Sequence, residues 1–107
     1  MSDAFKDREK GYEAKYQLDE ELRFKAESRR NKLLGLWLAE AFGLTGSDAD
    51  AYAREVVLSD LDEPGVEDVV RKVMSDIESR GISITEDEIR RKLEDLLHTA
   101  ADQIRAE

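Results

Sequence analysis

From about Asp3 to Phe42 the chain keeps a helical periodicity and contains no proline. One helix of that length would run about 60 Å at 1.5 Å per residue. The whole chain has 107 residues, enough for one ordinary domain and too few for two. A domain of about 100 residues has a radius of gyration of only about 13 Å. Such a helix cannot be covered along its length by its own domain, so part of it must project, fray or bend. Gly43 and Gly46 close it.

The rest of the chain is helical too. Ser47 is placed to cap a second helix with Ala49, Tyr52, Ala53, Val56, Val57 and Leu61 inward, broken by "DEPG" at 62–65, where proline lacks an N–H and disfavours helix before it. A third carries Val66, Val69, Val70, Val73, Met74 and Ile77 as one stripe and stops at Gly81. In "ITEDEI", Thr85 and Glu88 make a capping box, with Ile84 and Ile89 as its staple. Ile89, Leu93, Leu96, Leu97, Ala100 and Ile104 follow at helical spacing. No alternating strand of useful length exists. The expectation is an all-α four-helix bundle, with helices near 20–42, 47–62, 65–80 and 86–105 and a long or mobile N-terminal helical arm over residues 1–19.

Charge separates the two parts. Residues 1–32 hold nine Lys/Arg and eight Asp/Glu; residues 33–107 hold eight and eighteen. The acidic body argues against nucleic acid, which needs a basic footprint, and against anionic membrane surfaces. No apolar run approaches the length of a membrane span, and "MSDAFKDREK" is no secretory signal. Together these imply a soluble, cytoplasmic protein without direct membrane insertion; the expectation for the free protein is a monomer.

The first third is crowded with charge yet holds Phe5, Tyr12, Tyr16 and Phe24, four of the seven aromatics. Segments made only to be solvated avoid such rings. On a wheel of about 100° per residue, Phe5, Tyr12 and Tyr16 fall within about 40° of each other. Leu22, Ala26, Leu33, Leu36 and Trp37, joined by Leu18, form a second stripe displaced by roughly 80°. Two faces suit two partners: the aliphatic stripe, with Trp37, for the bundle, and the aromatic one for another protein's groove. Gly11 weakens the outer part by about 1 kcal/mol relative to alanine. The competing reading packs the rings back onto the bundle as core.

Catalytic chemistry finds no footing. There is no cysteine, no nucleophile elbow, no phosphate loop and no zinc-binding helix motif. Asp95 and the lone His98 have a carboxylate-to-histidine spacing used in metal bundles, but those need it twice. "SDADAYA" lacks the glycine and closing glutamate of a calcium loop. "RRNK" at 29–32 and "RRK" at 90–92 read as solvated helix faces. No enzyme, metal site or cofactor is implied.

"DREKGYEAKYQLDEELRFKAESRRNKLLGLWLAE", and above all "FKAESRRNKLLGLW" within it, resembles the zeta-type inhibitor subunit of alphaproteobacterial F-type ATP synthases. The likeness extends through "YAREVVLSDLDEPGVEDVVRKV" and "IRRKLEDLL", nearly the whole chain. It implies a four-helix protein, not an enzyme, that inhibits ATP hydrolysis by the catalytic head. It implies that residues 1–19 wedge into an interface between alpha and beta subunits, reach toward the gamma shaft, and block rotation. Phe5, Arg8, Glu9, Lys10, Tyr12, Glu13, Lys15 and Tyr16 then become the partner-binding candidates. The protein would sit peripheral to the inner membrane when bound to the synthase. The alternatives are a helical adaptor with another protein partner and a bundle that binds a small ligand such as a nucleotide.

Overall fold

The computed structural model describes residues 20–60 and 65–107. These form four helices and no strand: α1 (Glu20–Ala41), α2 (Gly46–Leu58), α3 (Glu67–Ser79) and α4 (Glu86–Ala106). The all-α expectation is met. The expected arm and residues 61–64 lie outside the described residues.

Local signals set most boundaries. Both α1 and α3 end in glycine caps. Gly43 and Gly81 take φ of +78° and +67°, where a side chain is disfavoured. At each, the next amide bonds back five residues, Leu44 N to Ala39 O at 2.8 Å and Ile82 N to Ile77 O at 3.1 Å, the Schellman arrangement. Leu44 and Ile82 then turn onto the core. At the start of α4 the Glu88 amide donates to Thr85 Oγ1 at 3.2 Å, as a capping box requires. Ser47 is not the cap of α2: the helix begins at Gly46, with Thr45 in the cap position and no side-chain bond from it. At the other end α2 stops at Leu58, short of the expected break at 62–65. There Ser59 Oγ turns back to donate to Val56 O at 2.7 Å.

Helix α1 is central, flanked by α2 and α4, while α3 lies against α2 and α4. One core joins Leu34, Leu38, Ala39, Tyr52, Val56, Val69, Val70, Val73, Ile77, Ile89 and Leu93. Helices α1 and α2 approach closely at Gly35. A Cβ on Gly35 would stand 2.6 Å from Ala53 Cα and 3.2 Å from Val56 Cγ2.

The buried face of α1 is not the stripe that the wheel picks out. It comprises Ala26, Arg30, Asn31, Leu34, Gly35, Leu38 and Ala39. Leu22, Leu33, Leu36 and Trp37 are only partly buried, and Lys92 Nζ lies 4.9 Å from the centre of the Trp37 ring. A helix with neighbours on two sides buries a broad sector, and small or polar residues at the closest approach belong to it. The centre of that sector is roughly 130° from the expected stripe. The aromatic positions 5, 12 and 16 are about 50° from it on the same wheel. The change of face read between Tyr16 and Leu18 is therefore no longer an argument for two partners. The solvated reading of "RRNK" also fails at its centre, since Arg30 and Asn31 are 4% and 1% exposed.

Candidate functional site

The partner-binding candidates Phe5, Arg8, Glu9, Lys10, Tyr12, Glu13, Lys15 and Tyr16 lie outside the described residues. What the structure does show is how α1 is gripped from Arg29 onward, ten residues past Asp19.

Three successive residues of α1 make a collar. Arg29 reaches the end of α4, forming an ion pair with Glu107 and lying 3.5 Å from Gln103 Oε1. Asn31 Nδ2 donates to Asp60 Oδ2, just past α2, at 3.0 Å. Arg30 Nε donates to Asn31 Oδ1 at 3.0 Å, and its Nη2 stands 3.6 Å from the same Asp60 oxygen. Burial pushes the Arg30 guanidinium below its ordinary value, against the pull of Glu27 and Asp60. Its Nη2 has no hydrogen-bond partner. Glu27, and after it Asp60, supply the counter-charge for this buried cation.

N-terminal to the collar, α1 has little cover. Glu20, Glu21, Arg23, Phe24 and Lys25 are exposed, and of residues 20–29 only Ala26 is buried. Lys25 pairs with Glu21 on the helix's own surface. Phe24 is 72% exposed. The collar could not be read from the sequence, because a charged run on a helix is ordinarily solvent-facing. The one available signal was Asn31, a poor helix former in the middle of a long helix.

A second polar cluster serves the fold. Tyr52 OH donates to Asp76 Oδ2 at 2.8 Å, and Lys72 Nζ bridges Glu55 and Asp76 at 2.8 and 2.9 Å. Burial, then the bond to Asp76, pushes the Tyr52 phenol up. Arg90 forms a fork with Glu67, whose carboxyl is lowered by that bond. These contacts tie α2 to α3 and α3 to α4. His98 is exposed. Among the described residues no group of three His, Cys, Asp or Glu could hold a metal ion, and no helix is long and apolar enough to cross a membrane.

The described residues form an all-α helical bundle whose polar groups tie its helices to one another. The family model for ATPase inhibitor subunit zeta matches residues 1–103, and the chain belongs to that family. A protein solved by solution NMR is similar at 48% identity and a TM-score of 0.71, over 79% of this chain and 96% of that one. No curated protein matches.

Proposed function

We propose that this chain inhibits ATP hydrolysis by the catalytic head of an F-type ATP synthase, with residues 1–19 as the wedge. The observation that carries this reading is the extent of the family match, which spans the segment ahead of α1 as well as the bundle. Phe5, Tyr12 and Tyr16 are the anchors, since aromatics dominate the energetics of such interfaces. Arg8, Glu9, Lys10, Glu13 and Lys15 supply the polar contacts. The segment enters an alpha/beta interface, approaches the gamma subunit, and stops rotation in the hydrolytic direction.

The collar supports a mechanical role. A block must resist torque, so the wedge needs a base that does not swivel. Arg29, Arg30 and Asn31 fasten α1 to the ends of both α2 and α4. The bundle thereby fixes the direction in which α1 leaves it.

An ATPase assay on the isolated catalytic head tests the proposal, using the full chain and the chain without residues 1–19. Full inhibition by the shortened chain would exclude residues 1–19 as the wedge. No inhibition by either would exclude the activity.

A further inference from the structure

We propose that the uncovered start of α1, together with the α1–α2 groove, is a second docking surface that takes an acidic, partly apolar segment of the same catalytic head. This rests on the reading above and adds a contact that residues 1–19 do not supply.

Phe24 falls in the same sector of α1 as Asn31 and Gly35, the residues that meet Asp60 and Ala53 on the α2 side. But α2 has already ended where Asn31 meets Asp60. Phe24 lies seven residues further out, about 10 Å along the axis, and is 72% exposed. An aromatic thus continues the packed face beyond the helix that packs it.

About two turns later, and roughly 80° round the helix, α1 borders a groove lined by Lys32, Asp50, Ala53, Arg54 and Val57. Its floor is apolar and its rim carries two cations and one acid. Lys32 and Arg54 are both exposed, and neither forms an ion pair with a described residue. From Glu20 to Lys32 the chain's acidic balance reverses, with five Lys/Arg against three Asp/Glu. A locally cationic rim around an apolar floor, on an acidic body, complements a segment that carries carboxylates beside an apolar side chain. Complementary charge at a rim steers encounter and fixes register.

The catalytic head is the occupant because of continuity. Phe24 is five positions beyond residue 19, so a partner that grips residues 1–19 is already beside it. A second copy of this chain is acidic as well, and the experiment separates the two.

Inhibition constants and association rates are measured on the isolated catalytic head at low and high salt, with full-length variants and their unfolding midpoints. Lys32→Glu with Arg54→Glu is expected to weaken inhibition on the order of tenfold at low salt, chiefly through slower association. The difference should shrink at high salt. Phe24→Ala is expected to weaken inhibition on a similar order, about tenfold, with the midpoint unchanged. Arg91→Glu, an exposed cation that does not line the groove, should inhibit as the parent does. If the patch variants inhibit like the parent while Tyr12→Ala with Tyr16→Ala does not, the second surface is refuted and the wedge reading stands. If all inhibit like the parent, both fall. If the charge reversal changes self-association in sedimentation and leaves inhibition intact, the occupant is a second copy and the proposal is overturned.

Discussion

Gly35 shows how much one missing side chain can decide. It lets α1 and α2 approach so closely that an added Cβ would meet backbone at 2.6 Å, and backbone cannot swing aside. Gly35→Ala should therefore destabilise by about 1–3 kcal/mol, the usual range for overpacking, although alanine is the better helix former. Urea unfolding checks it, and an unchanged or raised midpoint would mean that the helices slide apart at no cost. Tyr52 makes the opposite point, a polar atom held in the core. Its phenol is raised by burial and by its bond to Asp76, so the folded state holds the proton longer than the unfolded state does. That contribution is complete below the unfolded value of about 10 and is lost as pH climbs past it toward the folded value. Melting temperatures between about pH 9 and 11 should fall more steeply for the parent than for Tyr52→Phe, which has no such proton. Parallel curves would refute this.

At the scale of elements, most of what was legible in the sequence is decided locally, although the local cap signal at Ser47 was misplaced by two residues. Gly81, Thr85 and the stripe of α3 each depend on a few neighbouring residues, and each lies where its pattern put it. The faces of α1 were not legible, because they depend on what packs from two sides. Leu33, Leu36 and Trp37 look like core and are only partly buried, while Arg30 and Asn31 look like surface and are covered. The collar that follows from this has a measurable weight. Removing the Asp60 carboxylate takes away the ion-pair partner of the buried Arg30 guanidinium and leaves only the charge of Glu27 near it, and breaking a buried pair costs up to about 3–5 kcal/mol. Asp60→Ala should lower stability by that order, and Arg30→Met in the same chain should restore most of it, because the buried charge is then gone as well. A double-mutant cycle tests the pair directly. If the single and double variants are equally destabilised, Asp60 acts through the end of α2 and not through Arg30.

For the molecule as a whole, the question is whether residues ahead of α1 serve the partner or the bundle. The shift of the buried face of α1 removes one sequence argument for the partner: positions 5, 12 and 16 share a wheel sector with Ala26, Arg30 and Leu34. What remains is chemistry and kinship. The family match takes in these positions, and Leu34, Leu38, Val56, Val73 and Ile89, each at 0% exposure, pack in one cluster of the described helices. If the rings serve the partner, they can be removed without melting that cluster. Tyr12→Ala combined with Tyr16→Ala should leave the unfolding midpoint within error of the parent. Inhibition should weaken at least tenfold if each ring contributes more than about 1 kcal/mol to the interface. The two measurements have to be made on the same protein, because each outcome has its own meaning. A stable double variant that inhibits fully would show that the rings do not anchor the wedge. A variant that loses inhibition together with several kcal/mol of stability would place the rings in the bundle, where the wheel allows them. Lost inhibition at unchanged stability is the outcome expected of a segment that meets its packing partner only in the complex.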